Sequence, residues 1–359
     1  ALRVCTLSSI FVCSYCAWVF MNANHCFKNS RNFIKYVLSR DKQITINALA
    51  RSSISDEYIL NACNDAEDGR KRVRIIRGSI NDEAAVREGL NEADVVVHMA
   101  AVVNFILKVQ PWGYFTEFEK VNIQGTSQLL SIISTLPQKP RFIYISSFTA
   151  LLSNHYSKDA LPDWAPYSKS KCLAEDLVLK SNYSNVIVLR LGWLWGNDDN
   201  VLLPKLKNLS KNPLWLFTPE CWELSILHVT NACEAIFLSW FHQVEENKIY
   251  EIEDSEGKIK VEDFMEFYVG AVSNVNPPRP FTIRPPKWLI WGSITFIEWI
   301  PFLGYSKRWM FDGCNRESLL CLFQDFRLYS DNAKKELGYV GHVSREQGIQ
   351  ELKRMHLSE

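Results

Sequence analysis

The feature that most constrains the fold is the stretch of residues 141–175, where an apolar run leads through a polar loop into a helical pattern. Residues 142–145 (FIYI) form a short continuous apolar run, which is typical of a strand buried in a parallel sheet. Pro166 favours a helix start, and apolar residues at 173, 174, 177 and 179 continue with helical spacing. The stretch therefore predicts one strand–helix step of an α/β fold.

The same stretch carries side chains suited to acid–base chemistry. Tyr167 and Lys171 are four residues apart, so a helix places them on one face, one turn apart. An ammonium group beside a phenol lowers the pKa of the phenol, which can then exchange a proton with an alcohol near neutral pH. A serine at the end of the preceding strand, Ser147 or Ser146, can hydrogen-bond the same substrate oxygen. A Tyr four residues before a Lys also occurs by chance, and the strand ending in Ser-Ser favours the catalytic interpretation.

Several motifs in order resemble one enzyme family. The set Ser147, Tyr167 and Lys171 is similar to that of the extended short-chain dehydrogenases/reductases, and the chain most resembles their 3β-hydroxysteroid dehydrogenase/isomerase branch. The resemblance runs from about residue 33 to about residue 352. The supporting motifs are VVVHMAA at 95–101, VNIQGT at 121–126, LRLG at 189–192 with WG at 195–196, and LHVTN at 227–231.

This resemblance implies a fold and a reaction. The fold is an α/β Rossmann-type doubly wound parallel sheet with a smaller C-terminal substrate lobe. The reaction is hydride transfer between a nicotinamide and a secondary alcohol or ketone of a sterol or another bulky apolar substrate. Tyr167 would be the acid/base, Lys171 would lower its pKa and hold a ribose hydroxyl, and Ser147 would orient the carbonyl. Asn122, in a long helix, would support the hydrogen-bond network of the site.

Candidate cofactor contacts follow the predicted strands. The second strand ends just before Arg51, where an acidic residue would bind the ribose hydroxyls of NAD and an arginine accommodates the 2′-phosphate of NADP. The sequence thus favours NADP(H) over NAD(H), the alternative being that Arg51 is a solvated loop residue. By resemblance, Asp82 or Asn81 meets the adenine, and the small residues Ala100 and Ala101 let the cofactor lie against the backbone.

The beginning of the chain does not fit the resemblance. A dinucleotide fold opens with a strand, a glycine-rich turn and a helix whose N-terminus holds the pyrophosphate, yet no glycine precedes Gly69. Residues 4–21 are uncharged and largely apolar. Three accounts are open: a fragment or mistaken exon join, which we favour; a membrane anchor, since the apolar stretch just reaches spanning length; and a dinucleotide fold that has lost its cofactor.

The patterns predict three segments. These are an atypical apolar N-terminal segment (1–32), an NAD(P)-binding Rossmann domain (33–196) and a substrate-binding lobe (197–359). Trp193 and Trp222 are predicted to line an apolar substrate pocket.

Within the lobe, residues 287–311 contain four tryptophans and few charges. Glu298 and Pro301 interrupt the apolar run, so it is a poor spanning helix. Its aromatic and basic flanks are typical of an interfacial segment. The resemblance to steroid dehydrogenases, which carry an apolar segment here, implies contact with a membrane surface, the alternative being a helix that only caps the pocket.

Composition limits the partners and the compartment. The 40 basic and 40 acidic residues balance, so no basic excess favours nucleic acid. The ten cysteines lack a disulfide or zinc pattern, which indicates free thiols in a reducing compartment and no metal site. We expect a membrane-associated enzyme on the cytosolic side of the endoplasmic reticulum, with the cytoplasm as the alternative location. A homodimer is a further expectation.

The rival functions are a sterol-4-carboxylate dehydrogenase, a flavonol-type reductase, or a non-catalytic pseudoenzyme.

Overall fold

The structure is a computed structural model, and it describes residues 16–20, 27–51, 53–64, 66, 68–103, 114–184, 186–197, 199, 214–216, 223–242, 244, 246–272, 281–299, 315–323 and 326–357. Its strands are β1 (Cys16–Phe20), β2 (Thr45–Ala50), β3 (Val73–Arg77), β4 (Val95–His98), β5 (Arg141–Ser147), β6 (Val186–Leu191), β7 (Trp193–Trp195), β8 (Leu214–Leu216), β9 (Glu223–Leu224), β10 (Ile226–His228), β11 (Lys248–Ile252), β12 (Ile259–Lys260) and β13 (Phe281–Ile283).

The helices alternate with the strands from β1 to β6. The α-helices are α1 (Phe27–Arg40), α2 (Ser53–Cys63), α3 (Gly69–Arg72), α4 (Glu83–Leu90), α5 (Tyr114–Phe118), α6 (Gly125–Ser134), α7 (Pro166–Lys180), α8 (Val229–Phe241), α9 (Val261–Val272), α10 (Lys287–Trp299), α11 (Arg316–Phe323) and α12 (Arg345–Leu357). Short 3₁₀ segments (Phe148–Asn154 and Lys158–Ala160) and π-helical segments (Glu119–Gln124 and Ala333–Leu337) join them.

Seven of the strands form one parallel sheet in the order β11-β6-β5-β4-β1-β2-β3. Parallel neighbours need crossover connections, and the helices between them supply these on both faces. This arrangement confirms the predicted α/β doubly wound parallel sheet. The order also brings the carboxyl ends of β2, β3, β4 and β5 to one edge of the sheet, where ligands bind in folds of this kind.

Alternating residues of the inner strands fill two separate core layers. In β4, Val95 and Val97 face the layer formed with α1, α2 and α8, whereas Val96 faces the layer formed with α4, α6 and α7. Side chains of a strand point to opposite faces in turn, so a strand covered on both faces must be apolar throughout. This is why the β-branched run at 95–97 predicts a central strand.

The N-terminal segment contributes to the sheet. Cys16–Phe20 forms β1, which lies between β4 and β2 and pairs in parallel with both. Helix α1 begins at Phe27, six residues before the point where the family pattern was predicted to begin. The residues that join β1 to α1, 21–26, lie outside the described residues. The sheet therefore takes strands from all three predicted segments, and its limits do not coincide with residues 32 and 196.

The C-terminal part combines helices with small sheets of two strands each, β7 with β10, β9 with β12 and β8 with β13. After α8 the chain returns to the main sheet, where β11 pairs in parallel with β6 as an edge strand. Within the described part of the chain, none of the helices is both long enough and apolar enough to cross a bilayer.

Candidate active site

Ser147 ends β5 at the carboxyl edge of the sheet. Its side chain is buried, and its Oγ caps the following 3₁₀ segment by accepting from the Thr149 backbone N–H at 3.2 Å. The Thr149 hydroxyl also donates to this oxygen, at 3.1 Å. A serine hydroxyl carries one proton and accepts through its lone pairs, so both contacts leave that proton for another acceptor. Ser147 can therefore donate to a substrate oxygen.

Ser146, the alternative serine, is occupied elsewhere. Its Oγ donates to Glu175 Oε2 at 2.5 Å, and the same carboxylate accepts from Arg190, whose Nη2 lies 2.6 Å from Oε1. Adjacent residues of a strand point to opposite faces. Ser146 is thus held on Glu175, and the role of Ser147 as the substrate contact stays a prediction.

Lys171 is buried and anchored to β5. Its Nζ donates to the Ile145 carbonyl at 2.7 Å and to the Tyr144 hydroxyl at 3.1 Å, and it lies 4.6 Å from the centroid of the Tyr144 ring. Burial raises the pKa of Tyr144 well above its usual value, so this phenol stays neutral. Its hydroxyl accepts the hydrogen bond from Lys171. The ammonium group of Lys171 is therefore held on the end of β5, at Ile145, two residues before Ser147.

Tyr167 lies in the first turn of α7, one turn before Lys171 on the same helix face. Its ring is buried, with its centroid 6.4 Å from that of Phe118. The structure thus gathers the predicted set of Ser147, Tyr167 and Lys171 where α7 packs on the carboxyl end of β5.

Asn122 connects the segment after β4 to α7. Its Oδ1 accepts from the Val102 N–H at 2.7 Å, and its Nδ2 donates to the Val102 carbonyl at 3.2 Å and to Ser170 Oγ at 2.8 Å. The Ser170 hydroxyl in turn donates to the Tyr167 carbonyl at 2.7 Å. Asn122 therefore links the backbone beside Ala101 with the helix turn that carries the candidate acid/base.

His98, at the end of β4, belongs to the core. It is buried, and its Nε2 lies 2.8 Å from the Thr126 hydroxyl. Burial, with the positive charge of Lys171, lowers the pKa of His98 to about 3, so the imidazole is neutral at physiological pH. Such a neutral, packed ring does not suit a general base near pH 7.

Apart from Lys171 in α7, the predicted cofactor contacts follow strands at the carboxyl edge. Ala100 and Ala101 are buried directly after β4, and Arg51 is exposed directly after β2. Asp82 follows β3, is exposed, and caps α4 by accepting from the Ala85 N–H at 3.2 Å. Small side chains at the carboxyl end of a central strand fit a dinucleotide laid across this edge. Their roles as cofactor contacts remain predictions.

Of the two predicted pocket tryptophans, Trp193 lies beside the candidate site. It is half-buried and stacks on Phe148, with ring centroids 5.5 Å apart and ring planes 26° apart. Phe148 directly follows Ser147, so this pair forms an apolar wall next to the serine. Trp222 lies outside the described residues.

Three residues that support the candidate active site were not predicted from the sequence. Ser170 could have been recognised from its position three residues after Tyr167, on the same side of a helix. Tyr144 and Glu317 gave no local signal, because their contacts to Lys171 and to Ser168 depend on elements that are distant in sequence.

Sequence comparison gives a family match and distant relatives. Residues 31–248, more than half of the chain, match the sequence model of the 3-beta hydroxysteroid dehydrogenase/isomerase family. A sterol-4-alpha-carboxylate 3-dehydrogenase, decarboxylating, of Dictyostelium discoideum is 26% identical over 301 residues, which are 77% of this chain and 85% of that protein. A 4-hydroxy-2-methyl-3-oxo-4-farnesyl-3,4-dihydroquinoline-1-oxide ketoreductase of Stigmatella aurantiaca is 24% identical over 348 residues, which are 90% of this chain and 92% of that protein.

Solved structures support the fold. A UDP-glucuronic acid 4-epimerase of Bacillus cereus, in complex with UDP-glucuronic acid and NAD, superposes with a TM-score of 0.64 at 14% identity. The match covers 95% of this chain and 99% of the epimerase chain. At this identity the likeness concerns the architecture alone.

Proposed function

The chain belongs to the 3-beta hydroxysteroid dehydrogenase/isomerase family, as its motifs indicated, and from this premise we propose that it is a nicotinamide-dependent oxidoreductase. The reaction is hydride transfer between the nicotinamide and a secondary alcohol or ketone. The observation that carries the proposal is the placement of Ser147, Tyr167 and Lys171 around the carboxyl end of β5.

In the oxidative direction the chain's own residues handle the proton. Tyr167 Oη takes the proton of the substrate hydroxyl, and Ser147 Oγ donates to the same oxygen, which becomes a carbonyl. Lys171, fixed by Tyr144 and Ile145, supplies positive charge that favours the phenolate form of Tyr167. A bound oxidised nicotinamide would supply the acceptor for the hydride of the substrate carbon. The residues that would hold its dinucleotide are Arg51, Ala100, Ala101 and Lys171. In the reductive direction Tyr167 returns its proton.

We infer a sterol or another bulky apolar alcohol as the substrate. The apolar pair of Phe148 and Trp193 lies next to Ser147, and the Dictyostelium relative is named for a sterol substrate. A 3β-hydroxysteroid and a 4α-carboxysterol both present a secondary alcohol on a rigid apolar skeleton, so either fits this wall. For the cofactor, the exposed Arg51 favours NADP(H), and the NAD held by the solved epimerase keeps NAD(H) as the alternative.

We also propose that α10 contacts a membrane surface. Trp288, Leu289 and Phe296 lie on its outer face with 73%, 45% and 66% of their surface exposed. Large exposed aromatic residues on one helix face favour an interfacial site over water. Such a contact places the active site where an apolar sterol is most concentrated.

Replacement of Tyr167 by Phe tests the reaction. With a 3β-hydroxysteroid or a 4α-carboxysterol and NAD⁺ or NADP⁺, we expect Tyr167→Phe to lower kcat by about 10²- to 10⁴-fold, because the proton acceptor is lost. The control is Tyr329→Phe, at a tyrosine with 54% exposure, which should retain activity. Unchanged turnover in Tyr167→Phe would refute the mechanism. No binding of either nucleotide to the wild-type chain in a fluorescence titration would favour the pseudoenzyme.

A further inference from the structure

The helix that carries Tyr167 begins without a capping residue of its own. Its N-cap is Ala165, which has no side-chain acceptor, and Pro166 follows at the first helical position. The first turn of α7 contains no acidic residue. The first backbone N–H groups of a helix need an outside acceptor, and the helix dipole favours a negative charge at this end.

A carboxylate from another helix fills this position. Glu317, in α11, is buried with 3% exposure. Its Oε1 accepts from the Ser168 N–H at 2.6 Å and from the Ser168 hydroxyl at 2.7 Å. The Tyr167 N–H also hydrogen-bonds this carboxylate. Glu317 therefore binds the backbone of the candidate acid/base residue itself, from 150 positions further along the chain.

Helix α11 is itself fixed by α10. The Glu298 carboxylate accepts from the Arg316 N–H at 2.8 Å and forms an ion pair with the Arg316 guanidinium. That guanidinium lies 5.3 Å from the Trp164 ring, and Trp164 packs edge-to-face on Trp291 of α10 with centroids 5.4 Å apart. Two carboxylate contacts in series thus join α10 to α11 and α11 to the start of α7.

We propose that Glu317 is a positioning residue for the proposed oxidoreductase, which sets the place of Tyr167 by capping α7 from the C-terminal part of the chain. The inference rests on the proposed function, because it concerns the same reaction. Loss of the cap frees the first turn of α7 and moves the phenol relative to Ser147. Reactions of this kind are sensitive to small misplacements of a catalytic group.

The ionisation of Glu317 makes the cap sensitive to pH. Burial raises the pKa of Glu317 to about 7, the charge of Glu298 acts in the same direction, and the bonds from Ser168 and from the Tyr167 N–H lower it. Cys321, one turn along α11, also faces the carboxyl, and burial and this carboxyl raise the pKa of its thiol. Because the pKa of Glu317 is raised above its usual value, the capped state binds the proton more tightly than an opened, hydrated state does. The cap therefore loosens as the pH rises through neutrality, when the buried carboxyl must ionise.

The test compares Glu317→Ala and Glu317→Gln with matched variants of Glu234. Glu234 is a buried carboxylate in α8 that also accepts from two backbone N–H groups, those of Val340 at 3.0 Å and His342 at 3.2 Å. We expect Glu317→Ala to lower kcat by about 10- to 100-fold, with the KM for the nucleotide changed less than about twofold. Glu317→Gln, which keeps an acceptor oxygen, should lose the inflection of kcat near pH 7, and Glu234→Gln should keep it.

Hydrogen exchange at the amides of Tyr167 and Ser168 is the second readout. Exchange at these amides should accelerate in both Glu317 variants and stay unchanged in Glu234→Gln. If the alanine variant does not fold, the exchange rates of Glu317→Gln decide the test. Wild-type kcat and pH profile in Glu317→Gln, with unchanged exchange, would overturn the inference. An equal loss of kcat in Glu234→Gln would also overturn it. An inactive wild-type chain, by contrast, refutes the proposed function, and the exchange rates still decide whether Glu317 caps α7.

Discussion

The hydrogen bonds around Asn122 have a fixed direction, which leads to a sharp prediction for Asn122→Asp. The single proton of the Ser170 hydroxyl is donated to the Tyr167 carbonyl, so Ser170 Oγ must accept from Asn122. The Val102 carbonyl can only accept as well. Both partners of the Asn122 amide nitrogen therefore require a donor, and an ionised aspartate places an oxygen there instead.

The magnitude follows from the three side-chain hydrogen bonds, at 2.7, 3.2 and 2.8 Å. Asn122→Ala removes all three and should lower the free energy of unfolding by about 3 kcal/mol, at about 1 kcal/mol each. Asn122→Asp at neutral pH loses two of the bonds and buries an unpaired charge, so we expect a loss of about 3 to 5 kcal/mol.

The pH dependence separates the two variants. Burial, with no donor at the oxygen that replaces the amide nitrogen, raises the folded-state pKa of the new aspartate above its unfolded value. The variant therefore binds a proton more readily when folded, and its stability falls as the pH rises from about 4 through the raised pKa. The assay is urea unfolding followed by tryptophan fluorescence at about pH 5 and about pH 8, each variant measured against the wild type.

Asn91→Asp is the matched control, since Asn91 is exposed after α4 and should show no such slope. If Asn122→Asp were as stable as the wild type at the higher pH, the assigned direction of these hydrogen bonds would be wrong. A loss that did not shrink at the lower pH would contradict the buried-charge reasoning.

Two further predictions concern other parts of the chain. Glu175→Ala removes a carboxylate partner of Arg190 and the acceptor of the Ser146 hydroxyl. The free energy of unfolding, measured by urea unfolding, should therefore fall by about 3 kcal/mol. A fall below about 1 kcal/mol would show that this partly buried network contributes little to stability. The double variant Trp288→Ser with Phe296→Ser should sediment less with phosphatidylcholine vesicles than the wild type while keeping its melting temperature, and equal sedimentation of both chains would remove α10 as a membrane contact.

The sequence alone determined the fold class and the family. The run of buried valines at 95–97 and the strand ending in Ser147 predict a parallel sheet, because a strand covered on both faces must be apolar along its length. The spacing of Tyr167 and Lys171 fixes their common helix face, since helical geometry is local. These inferences needed only residues that are near in sequence.

Tertiary structure decided what depends on distant residues. It bound the Ser146 hydroxyl to Glu175 of α7, whereas the Ser147 oxygen accepts from Thr149. It placed Cys16–Phe20 in the middle of the sheet, although this stretch reads only as apolar sequence. It also brought Glu317 to the start of α7. A hydrogen bond across 149 positions has no periodicity that a sequence could display, and only the packing of α11 on α7 creates it.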